Sequence, residues 1–380
     1  MGWIVPLSDV VFGNEEFSAV QQVLESGWLT MGAVTQDFEK EFAAYTGAKH
    51  AFAVNNATAA LHLACQAINL GPGDEVIVPS LTFVATANAI RYTGATPVFA
   101  DIESKNDLTV SVDAIEKAIT SKTRAIMVMH YGGYACDMPK IMEIAHKHHI
   151  LVIEDAAHAV GSSLEGRHLG TWGVAGCFSF FSNKNMTTGE GGMVITNDDE
   201  IAEKIRLLRS HGMTSMTWDR HQGHAWSYDV VALGFNYRID EIHSALGRVQ
   251  LSKLNNYNIR RRELVLLYRN LIKELTPEVM VPFTGHAGIS ACHIMPVLLP
   301  DNVDRLHFMD KMKAQGIQTS IHYPPIHKFT AFKNSFDRPL SLKTTEEVTD
   351  REVTLPLYPH LSNEQVQTVV QAVQEALKPD

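Results

Sequence analysis

Short apolar segments rich in β-branched residues alternate with amphipathic, helix-like segments between about residues 50 and 200. Such alternation is typical of βαβ units, which assemble into a mostly parallel sheet with helices on both faces. Residues 150–153, Ile-Leu-Val-Ile, are apolar on both faces, as a strand covered on both sides must be. The sequence therefore predicts an α/β fold with strands at 51–54, 75–79, 97–102, 124–131, 150–155, 177–181 and 192–196.

The pattern changes after Asp240. A long helical segment runs to residue 275, and a polar segment that contains two prolines and two glycines follows it. Since 380 residues favour two or three domains, we predict a large domain over 1–250 and a small C-terminal domain over 251–380. The elements predicted in the small domain are strands at 292–299 and 317–323 and helices at 304–315 and 363–377, the last with a capping box at Ser362–Gln365.

Charge and composition exclude several functions. The chain has 32 Lys and Arg residues against 42 Asp and Glu residues, a formal charge of −10, and no long basic run, which argues against nucleic-acid binding. No apolar stretch is long enough to span a bilayer, and the start of the chain resembles no targeting signal, so we expect a cytoplasmic protein. Four scattered cysteines and an incomplete set of metal ligands around His146–His149 argue against disulfide, redox and metal sites.

In an open parallel sheet, ligands bind beyond the carboxyl ends of the strands. The predicted strand 51–54 is followed by small and polar residues that open a helix, including Asn56, Thr58 and Ala59. A helix N-terminus can hold a phosphate through its free N–H groups, but Asn56 or Thr58 could equally be a simple N-cap. Phe83 follows the next strand, where its ring could either stack on a planar ligand or belong to the core.

Two charged residues follow later strands. Asp155 ends a buried strand, so its carboxylate requires a compensating partner such as a protonated ring nitrogen, unless it caps the next helix. Lys184 lies between two apolar strands, where loss of hydration would lower its pKa and make its amine nucleophilic. Taken alone, Lys184 is more simply interpreted as a surface lysine. Together, a phosphate-binding turn, an aromatic ring, an aspartate and a lysine match the requirements of pyridoxal 5′-phosphate (PLP).

Eight segments give the chain a resemblance to a known family: SGWLTMG (26–32), NATAALHLA (56–64), GDEVIVPSLTFVATANAI (73–90), HYGG (130–133), IEDAAHAVGS (153–162), FSFFSNKNMTTGEGGMV (178–194), GFNYRIDEIHSALGRVQL (234–251) and IQTSIHYPPIH (317–327). They resemble the DegT/DnrJ/EryC1/StrS sugar aminotransferases, in order and from about residue 5 to the C-terminus. This resemblance implies a fold type I PLP enzyme, with a mostly parallel seven-stranded sheet between helices in the large domain and a smaller C-terminal α/β domain.

The resemblance also implies roles for individual residues. Lys184 would form the Schiff base with PLP, and Asp155 would hold the pyridinium nitrogen. His158 would lie near the 3-hydroxyl of the ring, and Phe83 would stack on the ring. The remaining residues would bind the phosphate (Thr58, Ala59, Ser179, and Asn236 from the other subunit of a homodimer) or border the substrate (Trp28, Leu29, Gly32, His322, Tyr323 and His327).

The activity implied by the resemblance is transfer of an amino group from L-glutamate to a nucleotide-linked keto-sugar. The motif at 153–162 favours amination at C4 of a 4-keto-6-deoxy sugar, because relatives that act at C3 often have Gln at the position of His158. Amination at C3, or of a keto-cyclitol, remains an alternative. Lys184 argues against the dehydrases of the family, which have His there. A regulatory homologue without catalysis would be expected to lack Lys184 or Asp155, and no strand is followed by the glycine motif of a nicotinamide dehydrogenase.

Overall fold

A computed structural model describes residues 2–379, except 216–217, 219–220, 222, 224–226 and 334–339. In the first two thirds of the chain, its strands are β1 (His50–Val54), β2 (Glu75–Pro79), β3 (Thr96–Ala100), β4 (Thr123–Met129), β5 (Leu151–Asp155), β6 (Ser163–Leu164), β7 (Arg167–His168), β8 (Ala175–Ser179) and β9 (Gly192–Thr196). The strands β6 and β7 form a short antiparallel hairpin. The other seven form one sheet in the order β1-β9-β8-β5-β4-β2-β3, in which β9 runs antiparallel to both of its neighbours.

Helices cover both faces of this sheet. The helices of this part are α1 (Asn14–Ser26), α2 (Ala33–Thr46), α3 (Ala57–Ala67), α4 (Val84–Tyr92), α5 (Val112–Ala118), α6 (Met138–His148) and α7 (Asp199–Leu208). Successive side chains of a strand point to opposite faces. In β2, Val76 and Val78 join the core beneath α3 and α4, whereas Ile77 joins the core beneath α2 and α6. The predicted α/β fold with two covered faces is confirmed.

A long helix, α8 (Glu241–Leu275), follows the sheet. Its N-cap is Asp240, whose carboxylate accepts a hydrogen bond from the His243 amide at 2.9 Å. Its contacts with α1 and α2 and with the last helix of the chain connect the large sheet to the C-terminal part. Because this helix is continuous across residues 250 and 251, the predicted domain boundary falls inside it, and the boundary itself stays a prediction.

The C-terminal part is a smaller α/β unit. The helices of this part are α9 (Arg305–Ala314), α10 (Thr330–Lys333), α11 (Lys343–Arg351) and α12 (Asn363–Ala376). The short helix α10 packs through Phe332 on the core of the large sheet. A two-stranded antiparallel sheet, β10 (Met295–Leu298) and β11 (Glu352–Leu355), packs with α9, α11 and α12. Its apolar core includes Phe308, Val353 and Val370. The predicted capping box is present, since Ser362 and Gln365 cap each other's backbone N–H groups. No helix among the described residues is long and apolar enough to cross a membrane.

The predicted strand at 317–323 is wrong. Within the described part of the chain, this segment makes two isolated bridges, between Val5 and Ile317 and between Ser320 and Thr354. The His322 amide donates to the Glu352 carboxylate at 2.8 Å instead of to a backbone carbonyl, so the ladder does not continue. The partner of β10 is β11, which the sequence pattern did not predict. The other predicted elements are present, with ends that shift by up to three residues.

Candidate active site

A cavity of about 1080 Å³ opens at the carboxyl ends of the central strands. Two groups of predicted residues line it. Thr58, Ala59, Asp155, Ser179 and Lys184 follow or end strands of the sheet, and we call them the strand-end wall. His322 and Tyr323 come from the segment between α9 and α10, and we call them the C-terminal wall. Phe83 and His158 lie in the same lining.

The turn between β1 and α3 forms one end of the strand-end wall. Asn56 is the N-cap of α3, because its Oδ1 atom accepts a hydrogen bond from the Ala59 amide at 2.8 Å. Asn56 and not Thr58 is therefore the helix cap, and Thr58 lines the cavity. The same hydrogen bond also shows that the Ala59 amide, expected to hold phosphate, already donates to a protein oxygen. Gly192 lets this turn approach β9, since a Cβ atom there would lie 2.7 Å from the Asn56 carbonyl carbon.

Asp155 ends β5 and is buried, with 4% of its surface exposed. Its Oδ2 atom accepts a hydrogen bond from the Thr86 hydroxyl at 2.7 Å, and its Oδ1 atom accepts one from the Ala157 amide at 3.1 Å. Burial raises the pKa of Asp155, while these two hydrogen bonds and the charge of Lys184 oppose the rise. The carboxylate therefore has a fixed orientation and gains electrostatic stabilisation from a cation in the cavity.

Lys184 lies in the loop between β8 and β9, where its amide donates to the Phe181 carbonyl at 2.9 Å in a tight turn. Lys184 is half-buried, and its side chain lines the cavity. Burial lowers the pKa of Lys184 to about 8, and the charge of Asp155 partly opposes this shift. The surface-lysine interpretation is wrong: the amine lies inside the site and is deprotonated far more readily than an ordinary lysine.

His158 connects the two walls. Its Nδ1 atom accepts a hydrogen bond from the Gly132 amide at 3.3 Å, and its Nε2 atom lies 2.9 Å from the Tyr323 hydroxyl. Burial, together with the charge of Lys184, holds the pKa of His158 well below its usual range, so the ring is neutral. Phe83 stands at the cavity mouth with 53% of its surface exposed, which excludes the core interpretation, and its ring lies 5.6 Å from that of Tyr323.

The C-terminal wall is held by hydrogen bonds to β11. The Nδ1 atom of His322 lies 2.8 Å from the Thr354 hydroxyl, which donates to Glu352 at 2.6 Å. Glu352 is buried, and burial raises its pKa to about 7. The carboxyl group thus supports the backbone and the side chain of His322 at once.

Two further polar residues of the lining have unsatisfied atoms. The Oδ1 atoms of Asn55 and Asn183 are buried and make no hydrogen bond within the described part of the chain. A buried polar atom without a partner costs free energy, so these two oxygens favour a polar ligand in the cavity. Sequence reasoning did not select either residue, although both are adjacent to predicted ones.

The comparison with known proteins decides the family. Residues 11–374 match the DegT/DnrJ/EryC1/StrS aminotransferase family. The chain belongs to this family. It is a sugar aminotransferase with the fold of the PLP-dependent fold type I enzymes, as the resemblance of the motifs implied.

Individual relatives agree with this assignment. The chain is 40% identical over 380 residues to the spore coat polysaccharide biosynthesis protein SpsC of Bacillus subtilis, covering 98% of this chain and 97% of SpsC. Helicobacter pylori PseC, an aminotransferase of pseudoaminic acid biosynthesis, superposes with a TM-score of 0.91 at 32% identity over 98% of both chains. For S. venezuelae DesV, the TM-score is 0.88 at 35% identity, over 97% of this chain and 95% of DesV.

Not every predicted residue of this sugar aminotransferase reaches the cavity within one chain. Those outside its lining are Asn236, Trp28, Leu29, Gly32 and His327. Asn236 is exposed. Gly32 donates its amide to Glu241 at 2.8 Å, and His327 is buried beside Ser80, 2.7 Å from its hydroxyl. The substrate role expected for His327 is therefore not supported by the position of its side chain.

Sequence reasoning also missed His293, which lies behind the lining. Its Nε2 atom is 3.4 Å from the Lys184 amine. No motif indicated this residue, because it comes from the C-terminal part, more than one hundred positions along the chain. Glu190, Tyr92 and Tyr237 line the cavity as well and were not predicted.

Proposed function

We propose that this aminotransferase uses PLP bound to Lys184 to transfer an amino group from L-glutamate to C4 of a nucleotide-linked 4-keto-6-deoxy sugar. The observation that carries the proposal is the placement of Lys184 and Asp155 on one cavity wall with the α3 N-terminus. An amine of lowered pKa, a buried carboxylate and a positive helix end are the groups that a Schiff-base cofactor with a phosphate and a ring nitrogen needs.

The lining has a suitable group for each part of PLP. Thr58, the α3 N-terminus and Ser179 would hold the phosphate, and Phe83 would cover the ring. Asp155 would hold the proton on the ring nitrogen, because the free energy of its buried charge falls when a cation is beside it. The unsatisfied Asn55 and Asn183 oxygens are consistent with a polar ligand here. When bound, PLP supplies a ring that withdraws electrons from the carbon next to the amine nitrogen.

Lys184 would also move a proton. With a pKa of about 8, its amine is deprotonated in a useful fraction of molecules near neutral pH. The Nζ atom would take up the proton that leaves the donor's α-carbon, and it would return a proton to the sugar carbon in the second half-reaction. His158 stays neutral and orients the Tyr323 hydroxyl, which faces the space left for the sugar.

The proposed active unit is a homodimer. Asn236 is exposed and lies outside its own chain's cavity, so the role implied by the resemblance, a phosphate contact, would have to be made in the partner's site. An incomplete phosphate site in each single chain is consistent with this arrangement. The proposal that C4 is the aminated carbon rests on the motif around His158. Amination at C3, or of a keto-cyclitol, is the alternative.

The test is a substrate panel. The pyridoxamine form of the enzyme is incubated with nucleotide-linked 4-keto-6-deoxy and 3-keto-6-deoxy sugars and with keto-cyclitols, and NMR identifies the carbon that carries the amine. An amine at C4 is the expected result. An amine at C3, or amination of the cyclitol alone, contradicts the proposal about the sugar and leaves the aminotransferase assignment intact.

A further inference from the structure

The Lys184 amine has a partner that belongs to the C-terminal part of the chain. Its Nζ atom lies 3.4 Å from the Nε2 atom of His293. His293 has 4% of its surface exposed and stands two residues before β10. Its backbone is held on both sides: its amide donates to the Gly132 carbonyl at 2.9 Å, and its carbonyl accepts from Arg261 at 3.3 Å. The backbone that carries the ring is therefore fixed.

The hydrogen bonds of Asn185 fix which nitrogen of His293 carries the proton. The Asn185 amide nitrogen donates to the Asn258 side chain at 2.7 Å and to the Ala291 carbonyl at 2.8 Å. Its carbonyl oxygen consequently faces the Nδ1 atom of His293 at 2.9 Å. Because a carbonyl oxygen only accepts, Nδ1 must carry the hydrogen. The neutral ring then has a lone pair on Nε2, directed at Lys184.

The anchor of this network is rigid too. Asn258 lies in α8, and its amide nitrogen also donates to the Val160 carbonyl at 2.9 Å. Gly161 makes room for it, since a Cβ atom there would lie 2.5 Å from the Asn258 amide nitrogen. Four side chains from three parts of the chain thus form one connected path, from Asn258 through Asn185 and His293 to the reactive amine.

The charged and titratable groups near the His293 ring keep it neutral. Burial is the main reason that the pKa of His293 lies well below its usual range. The charges of Lys184 and Arg261, and the neighbouring rings of His158 and His322, also disfavour a proton on it. The ring centroids of His158 and His293 are 4.3 Å apart. A protonated His293 would repel the Lys184 ammonium, whereas the neutral ring can accept a hydrogen bond from it.

We propose that His293 is a positioning residue that holds the free amine of Lys184 by accepting a hydrogen bond on Nε2. The inference rests on the proposed role of Lys184 as the amine that alternately binds and leaves the cofactor. Whenever the amine is free, the hydrogen bond keeps Nζ inside the cavity and near Asp155. No proton leaves the amine in this step. His293 is not part of the cavity lining, so it would act through Lys184 and not by contact with the substrate or the cofactor.

The first test uses the full-length, cofactor-free protein and measures the pKa of the Lys184 amine. Competitive acylation over a pH series, read by peptide mass spectrometry, gives this pKa directly. A neutral acceptor stabilises the ammonium form, so we expect His293→Phe to lower the Lys184 pKa by about one unit, a tenfold change in the protonation equilibrium. His293→Gln offers a carbonyl oxygen and should keep the pKa nearer to the wild-type value. His148→Gln, on an exposed position of α6, is the control.

The second test follows the half-reaction with L-glutamate. We expect His293→Phe to slow the rate constant roughly tenfold with little change in the apparent KM for glutamate, and His293→Gln to recover part of the rate. Asn185→Leu removes the carbonyl oxygen that keeps the hydrogen on Nδ1 of His293, so the hydrogen can move to Nε2. This variant should therefore lower the rate constant, as His293→Phe does. If His293→Phe does not fold, the rate constants and Lys184 pKa values of His293→Gln and Asn185→Leu are compared instead.

An unchanged Lys184 pKa in folded His293→Phe, or in folded Asn185→Leu where His293→Phe fails to fold, would overturn the inference. An equal loss of rate in the Phe and Gln variants would also overturn it, because a purely structural role does not distinguish the two. The pKa measurement needs no cofactor. Its result is therefore independent of the proposed function. That function is tested separately by borohydride reduction of the holoenzyme and peptide mapping, where a label on a lysine other than Lys184 would refute it.

Discussion

The strand-end wall and the C-terminal wall differ in what holds their side chains in place. Asp155 and Ser179 end strands of a seven-stranded sheet, where main-chain pairing fixes their positions: Asp155 pairs with β4 and β8, and Ser179 pairs with β9. His322 and Tyr323 lie in irregular backbone that is held by hydrogen bonds to Glu352 and Thr354 of a two-stranded sheet. The strand-end wall carries the groups for the chemistry, and the position of the C-terminal wall depends on side-chain contacts, in which the buried Glu352 carboxyl group supports His322.

This difference suggests a division of labour. The strand-end wall has the Lys184 amine and the Asp155 carboxylate, which the reactions with the amino donor and with the acceptor both require. The C-terminal wall faces the same space from a part of the chain whose packing can vary without disturbing the sheet. Changes in the first wall should therefore affect both half-reactions, while changes in the second should affect stability and the sugar half-reaction.

The largest expected effect is that of Lys184→Ala. Removal of the amine eliminates both covalent attachment and proton transfer, so turnover should fall roughly 10⁴-fold in both half-reactions. Borohydride reduction of the wild-type holoenzyme followed by peptide mapping should place the label on Lys184. Lys140→Ala, at an exposed lysine of α6, is the matched control and should retain full activity. Near-normal turnover in Lys184→Ala would remove the basis for the comparison of the walls.

Asp155→Asn should have the next largest effect. The amide has no charge to hold a proton on the ring nitrogen, so PLP should still bind while transamination slows by about 10²- to 10³-fold. Spectrophotometric titration measures binding, and single-turnover kinetics measures the chemistry. Thr86→Val removes one hydrogen bond to the same carboxylate and should cause a smaller loss in the same direction. If Asp155→Asn keeps wild-type rates, the carboxylate has no electronic role.

Asn236→Ala tests whether a partner completes the strand-end wall. A charge-assisted hydrogen bond to phosphate contributes roughly 1.5–3 kcal/mol, so its loss should weaken PLP binding about ten- to a hundredfold. Mixing Asn236→Ala chains with Lys184→Ala chains should restore activity, because one site of a mixed dimer then carries both changes and the other carries none.

If Asn236 acts within its own chain, every site of the mixed dimer keeps one change and mixing restores nothing. Isolated heterodimers that show no recovery would therefore refute the shared site. The experiment is done at a PLP concentration at which Asn236→Ala alone is impaired.

The smallest expected effect concerns the support of the C-terminal wall. The pKa of Glu352 is raised to about 7 from an ordinary value of 4.5, so the folded protein binds one more proton than the unfolded chain between these pH values. Stability from this group is present at low pH and falls as the pH rises through 7. Glu352→Gln mimics the protonated form. Relative to wild type, its free energy of unfolding should increase by roughly 1–3 kcal/mol as the pH rises from 5 to 8.

Urea unfolding of both proteins across this pH range measures the difference in the free energy of unfolding. Glu274→Gln, on an exposed position of α8, should track the wild type at every pH. A constant difference between Glu352→Gln and wild type would show that Glu352 titrates normally. The sugar half-reaction of the Gln variant then tells whether the position of His322 depends on this charge.

The strand-end wall could be predicted from the sequence because its residues follow from local patterns. Each of two patterns spans only a few positions: an apolar run that ends in Asp155, and Lys184 followed by glycines. The topology of a parallel sheet then brings separate strand ends to one edge. The capping of α3 by Asn56 was left open between two residues, since Asn and Thr are both good caps and only the geometry distinguishes them.

The C-terminal wall could be predicted only as a resemblance. The alternation in 317–323 is that of a strand, yet the Glu352 carboxylate takes the His322 amide and interrupts the ladder. His327 is four residues after the predicted strand, but its ring is directed to Ser80. Long-range partners of this kind leave no periodic signal, because each depends on a single contact between residues far apart in the chain.

The sequence by itself determined the α/β class, the strands of the sheet and the chemical identity of the amine and the carboxylate, since hydrophobic periodicity and residue type are local properties. Only the tertiary structure decided that His293 faces Lys184, that Asn185 fixes its proton and that Glu352 supports His322. Those facts depend on which groups are buried together. Burial changes the pKa of each group and the free-energy cost of leaving it without a partner.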